Sequence, residues 1–287
     1  MPSTSQQIYD VRFRPPFKGF LDCVMFKNKA RTTAHMRSRG MTPPASLETQ
    51  KLEDAVRECA EANVTRALVG GRGPNPMFEG APNEDVLELT QLHSDLFRAA
   101  IAVDPLGGKS AVDEIRRYAQ HKMVVAVVLE PGLLETPAYF DDPRINPVFE
   151  ECQSIGLPVV GMFGPISGPD IGYADPLPLD RVAGRFPKLN IVGAHGGWPY
   201  VTQMLAVAFR RPNVYLSPDI FMLSVPGSEQ YVQAVNLYLE DRFLFATAYP
   251  FNGVQEYAKK FAQLPLRKEI LPKLFYDNAA RLFSRDR

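Results

Sequence analysis

Eight short aliphatic and β-branched runs recur along this chain, and their regular return limits its fold more than any other feature. They are YDVRFR, VTRALVG, FRAAIAV, MVVAVVL, LPVVGMF, LNIVGAH, NVYLS and RFLFATA. Between most of them lie stretches with helical spacing. SLETQKLEDAVRECAEAN sets Leu52, Ala55, Val56 and Cys59 on one stripe, and DPRINPVFEECQSIG reads the same way. Strands separated by helices pair in parallel, because the return path needs a crossover segment. Eight such units predict an α/β fold, the (β/α)8 barrel; an open doubly wound sheet more often shows about five to seven strands and a Gly-rich first turn. No linker divides the chain, so residues 1–287 are read as one domain.

The 26 prolines cluster after strands, as in RPPF, GRGPNPMFEGAPN and MFGPISGPDIGYADPLPL. Those loops are therefore long and shaped, and in a barrel the loops after the strands build the site. Residues 18–46, KGFLDCVMFKNKARTTAHMRSRGMTPPAS, make an unusually long first connection, mixed in charge and dotted with Met and Phe. It reads as a lid carrying His35, as an oligomer contact such as a homodimer would use, or as a passive surface excursion.

Charge narrows the partners. With 32 basic and 32 acidic side chains, no net field draws the chain to nucleic acid or to an acidic membrane surface, which leaves small molecules. Cys23, Cys59 and Cys152 are odd in number and far apart, against a disulfide framework or a structural zinc site. MPSTSQQIYD lacks the basic start and apolar stretch of a signal peptide, and MVVAVVL is too short to span a bilayer. The expectation is a cytoplasmic protein. G-x-S-x-G, P-loop and dinucleotide patterns are absent, so serine-nucleophile and nucleotide-cofactor chemistry lose support.

The first strand carries Arg12 and Arg14, two residues apart and so on one face, where they repel unless an anion lies between them. A substrate carboxylate suits that place, since guanidinium binds carboxylate in bidentate fashion and keeps its charge. The competing reading is an internal ion pair with Glu130, Asp104 or Asp219, each near the end of a predicted strand.

With the strands laid out, FDDPRINPVFEECQSIGLPVV (140–160), LNIVGAHGGWPYV (189–201), NVYLSPD (213–219), RFLFATAYPF (242–251) and LFYDNAARLF (274–283) carry a resemblance over nearly the whole chain. The sequence resembles the amidohydrolase-related TIM barrels that include aminocarboxymuconate semialdehyde decarboxylase and the dicarboxylate-lactone hydrolases. Metal-bearing members take ligands from a His-x-His ending strand one, a His ending strand five, often a His on strand six and an Asp ending strand eight. Those positions hold Arg12 and Arg14, Met162, His195 and Ala248 here, so the resemblance implies a member without the usual metal and with no cofactor.

His195, at the position of the strand-six ligand, becomes a candidate general acid or base, with a purely structural histidine as the alternative. Asp219 would orient it or act as a base, or is a turn residue after Pro218. Tyr249 would donate to a developing oxyanion, or is a packing aromatic beside Pro250. Arg72 is a further anion contact or a surface arginine, Glu130 an arginine's partner, and Trp198 a pocket wall or plain packing. The function expected is a metal-independent hydrolase of a small carboxylated, lactone or ester-like compound. A lyase, decarboxylating or hydrating, stands second. A non-catalytic ligand-binding relative stands third, although decay would leave mixed replacements rather than two arginines on one face.

Overall fold

A computed structural model describes residues 6–73, 75–223 and 225–285. Seven strands, β1 (Ile8–Phe13), β2 (Val64–Gly70), β3 (Phe97–Ala102), β4 (Val124–Leu129), β5 (Val159–Met162), β6 (Ile191–Ala194) and β7 (Val214–Ser217), pair in parallel in sequence order. The eighth run closes the barrel without forming a regular strand. Leu216 N–H donates to Arg242 O, and Leu244 N–H to Leu216 O, on one side. On the other, Val11 N–H donates to Phe245 O and Tyr249 N–H to Arg12 O. Two of its donors are diverted from the ladder: Phe245 N–H goes to Leu274 O and Thr247 N–H to the Asp10 carboxylate. The fold is a single-domain TIM barrel.

Alternate residues of each strand fill its interior: Tyr9 and Val11, Leu68, Ala100, Ala126 and Val128, Val160 and Met162, Val192 and Ala194, Leu244 and Ala246. The intervening residues meet the surrounding helices, which explains why the strand sequences are apolar on both faces.

The helices are α1 (Val24–Lys27), α2 (Lys29–Ser38), α3 (Ala45–Thr49), α4 (Leu52–Glu61), α5 (Asn83–Leu92), α6 (Lys109–Tyr118), α7 (Asn146–Ile155), α8 (Leu177–Arg185), α9 (Val201–Arg210), α10 (Ser228–Ala234), α11 (Val254–Ala262) and α12 (Asn278–Leu282). The helical stretch expected over SLETQKLEDAVRECAEAN is two helices, because Gln50 takes a left-handed φ of 54° and ends α3. The anticipated stripe survives in α4, where Ala55 and Cys59 are buried.

The long first connection folds across the barrel mouth. Arg39, just past α2, donates from Nη2 to Phe251 O (2.8 Å) and from Nη1 to Ile220 O (3.5 Å). Thr42 N–H donates to Glu256 Oε2 (2.8 Å), and the His35 ring meets Phe251 edge-on at 6.0 Å. Of the readings given for residues 18–46, this placement is that of a cover over the ends of β7 and the eighth run.

Candidate active site

Strict alternation along β1 from Tyr9 and Val11, which point inward, would send Arg12 outward. The register of β1 against β2 slips between Asp10 and Phe13, and the slip returns Arg12 and Arg14 to the barrel interior. Asp10 holds it in place: its Oδ1 accepts from the backbone N–H of Arg12 (3.0 Å) and of Thr247 (3.1 Å), while the Thr247 hydroxyl donates to Oδ2. Phe13 goes outward, stacked on Tyr249 at 4.1 Å.

Arg12 crosses the barrel. Its Nη1 lies 2.8 Å from Met162 Sδ, and its Nε lies 3.6 Å from Asp219 Oδ2, within ion-pair range but too far for a hydrogen bond. Asp219 turns its other oxygen to His195 Nδ1 at 3.0 Å. Since a carboxylate only accepts, this contact places the proton of a neutral imidazole on Nδ1 and leaves Nε2 as the basic nitrogen. Burial, then the nearby Arg12 charge, pull the His195 pKa below 6.5 against the opposing pull of Asp219, so the ring is neutral at neutral pH.

The turns carrying these groups are strained. His195, Asp219 and Ala248, at three consecutive strand ends, have φ of 65°, 44° and 52° without being glycine, each costing about 1–3 kcal/mol. Buried donors hold each turn: the Tyr231 hydroxyl donates to Gly196 O (2.8 Å), the Tyr257 hydroxyl to Asp219 O, and Asn252 Nδ2 to Thr247 O (2.6 Å). Gly164 lies so close to the imidazole that a Cβ there would sit 2.9 Å from its Cγ and Cδ2.

Arg14 is 5% exposed and buried among other cations. Burial, then Arg72 and Arg12, push its pKa down to about 9, which leaves it charged at neutral pH. Arg72 is held by Glu130 in a two-pronged pair of 2.9 and 2.7 Å. Burial works to raise the Glu130 pKa, but the Arg72 charge and hydrogen bonds outweigh it and hold the carboxyl below its ordinary value. Buried polar atoms without a hydrogen-bond partner among the described residues gather here: Arg12 Nε, Arg14 Nε, Arg72 Nη1, Ser217 Oγ and Asp219 Oδ2. Three guanidinium groups thus face two carboxylates, Glu130 and Asp219. A bound anion would offset that excess of positive charge.

The remaining sequence candidates divide. Trp198 stacks on Phe221 (5.0 Å, 6° between planes), and Phe221 meets the His195 ring edge-on at 5.5 Å, so the tryptophan stands one ring away from the imidazole. The Tyr249 hydroxyl is turned from the barrel axis: it donates to Glu58 on α4 and bonds to Ser46 on α3. It is thereby committed away from His195 and is not placed for the oxyanion role expected of it. Glu130 pairs with Arg72, and the ion pair anticipated for Arg12 is with Asp219.

The amidohydrolase family profile matches residues 33–285. The chain belongs to the amidohydrolase family. Among solved structures it is similar to an uncharacterised TIM-barrel protein from Bordetella bronchiseptica, at 36% identity over 96% of this chain and 98% of that one, with a TM-score of 0.91. It shares its fold with 5-carboxyvanillate decarboxylase from Sphingomonas paucimobilis (17% identity, 97% and 99% covered, TM-score 0.69). It also shares it with a dihydroxybenzoic acid decarboxylase from Polaromonas bearing bound manganese (16%, 98% and 98%, TM-score 0.68). Among curated proteins none matches.

This amidohydrolase offers a divalent ion a poor set of donors. Arg12 and Arg14 are cations, Met162 carries a thioether and Ala248 has no donor, which leaves His195 Nε2 as the one nitrogen donor among these positions. Among the described residues no three His, Cys, Asp or Glu side chains gather as a metal would require. The residues present do not fit the metal of the manganese-bearing neighbour.

Sequence reading missed Asp10 and Ser217, although both stand inside motifs it quoted. Parity would have set Asp10 on the arginines' face; its carboxylate instead accepts from the Arg12 and Thr247 backbone and from the Thr247 hydroxyl.

Proposed function

We propose that this amidohydrolase is a metal-independent hydrolase of a small carboxylated, ester-like or lactone compound. The observation that carries the reading is the buried group of unpartnered guanidinium donors beside a histidine–aspartate pair. Arg12 and Arg14 bind the substrate's carboxylate and polarise its carbonyl in place of a Lewis acid. His195, neutral and oriented by Asp219, takes a proton from water through Nε2 as the water adds to the carbonyl carbon. The resulting imidazolium returns that proton to the leaving alkoxide. Arginine charge needs no reorganisation as the oxyanion develops, and the strained turns hold the base in position.

A lyase is the second reading, favoured by the fold neighbours named as decarboxylases. Decarboxylation needs a donor to protonate carbon, a role for which a neutral imidazole lacking a proton on Nε2 is ill suited. Assay of purified protein against carboxylated lactones and aryl esters, with a chelator present, tests the proposal. Turnover should persist with chelator and fall by about a hundredfold or more in His195→Asn and Arg14→Met. Stoichiometric zinc or manganese by elemental analysis, with activity lost to the chelator, would overturn it.

A further inference from the structure

The end of the barrel away from His195 holds a second group of cations. Arg66 stands two positions before Leu68, and Arg98 two before Ala100, both inward-facing residues, so period-two alternation sets the two arginines in the interior layer at the strand starts. Tyr9 belongs to the same layer. It pairs with Arg66 across β1 and β2, while Leu68 pairs with Arg98 across β2 and β3, which makes the two arginines diagonal neighbours. The Tyr9 ring packs against Tyr276 and Phe283 at 6.2 and 5.9 Å. This base is separate from the mouth: the void beneath Arg12 and Arg14 is only about 20 Å³, and Phe283 is part of its lining.

The three side chains bring donors together without a negative charge to meet them. Arg66 Nη1 donates to Thr65 O (2.7 Å) and to Asp95 O, and Arg98 Nη1 donates to Ser94 O (2.7 Å) and Phe97 O (2.8 Å). Backbone carbonyls at the strand starts thus pin both guanidinium groups, and among the described residues Nε and Nη2 of each have no acceptor and neither group has a carboxylate partner. Tyr9 is 3% exposed, and its hydroxyl is buried with no hydrogen-bond partner among the described residues. It lies within reach of both charges: burial raises the Tyr9 pKa, and Arg98 and then Arg66 oppose that rise. Burial and then the Arg66 charge lower the Arg98 pKa in turn. An orphaned buried hydroxyl and two cations without a counter-charge call for the same thing, an anionic acceptor.

We propose that the base of the barrel is a binding site for a phosphate group, held between Arg66 and Arg98 and accepting a hydrogen bond from the Tyr9 hydroxyl. Two guanidinium forks balance the charge of about −2 that a phosphate carries near neutral pH, and their planar donors match its oxygens. A single carboxylate would leave one arginine unmatched. The site is independent of the proposed hydrolase chemistry, and its occupation stabilises the fold by mass action.

Calorimetric titration of the full chain with sodium phosphate at constant ionic strength, with sodium chloride as the control, tests it. Arg14→Met serves as the background in which the mouth lacks its anion anchor. Phosphate should bind with a Kd of about 1 mM or tighter in both chains and raise both melting temperatures. In the Arg14→Met background sulfate should compete and acetate should not. Arg66→Gln or Arg98→Gln should weaken phosphate binding about tenfold or more. Tyr9→Phe, which removes only the unpartnered hydroxyl, should weaken it about threefold or more without lowering the melting temperature of the phosphate-free chain. If a glutamine variant does not fold, Arg98→Lys, which keeps the charge and loses the fork, should still weaken binding. Phenyl phosphate bound as tightly as inorganic phosphate assigns the site to phosphomonoesters, and weaker binding assigns it to the free ion; either upholds it. Phosphate binding lost in Arg14→Met and kept in Arg66→Gln puts the ion at the mouth and overturns the proposal. Binding no tighter than that of chloride, or unchanged by Tyr9→Phe, also overturns it and leaves the two arginines as caps of the strand-start carbonyls.

Discussion

At the scale of the residue, the site depends on charges buried without full compensation. Arg14→Met should abolish carboxylate binding yet raise the melting temperature, because removing an unpaired buried guanidinium relieves its desolvation. A structural ion-pair role would instead lower stability. Binding of an anion requires Arg14 protonated, so affinity should fall as pH rises through about 9, as calorimetry across pH 7–10 would reveal. Asp10 titrates in the opposite sense. Burial raises its folded pKa to about 7, above the ordinary 3.8 of an unfolded carboxyl, so the folded chain holds a proton that the unfolded chain has lost. Its contribution to stability is fully present below about pH 4 and is lost as pH rises through 7, by on the order of a few kcal/mol. Urea unfolding of Asp10→Asn should lack that part of the slope.

At the scale of the element, strand ends matter more than strands. Gly164→Ala changes no left-handed backbone, but its Cβ would press on the imidazole. It should lower kcat by about tenfold or more while leaving the melting temperature within a few degrees. Gly156, which ends α7 with φ of 71° and has open space where a Cβ would stand, gives a clean contrast. Gly156→Ala should cost about 1–2 kcal/mol on urea unfolding and leave kinetics unchanged. What could be read in the sequence also divides at this scale. Continuous aliphatic runs located the strands and the helical spacing located α4 and α7, because both depend only on which faces are buried. The slip in β1, the break at Gln50 and the irregular eighth run could not be read, since each arises from a hydrogen bond or a backbone angle that competes with the pattern. His195 and Asp219 stood out through their motifs. Tyr249 misled, because adjacency to a strand end does not say which way a side chain turns.

At the scale of the whole molecule, the barrel mouth is cationic within, and the first connection covers part of it through Arg39. The inner aliphatic layers and the helix-facing core, not the strand ends, carry the stability of the barrel. The central claim is that the guanidinium charge of Arg12 and Arg14 binds an anion beside His195. A crystal structure with 4-bromobenzoate, recorded with anomalous scattering at the bromine edge and above the manganese and zinc edges, tests this most directly. The account predicts a bromine peak at the barrel mouth, a carboxylate bonded to Arg12 and Arg14, and no metal peak at His195. A metal peak beside His195, or a carboxylate bound away from both arginines, would contradict it.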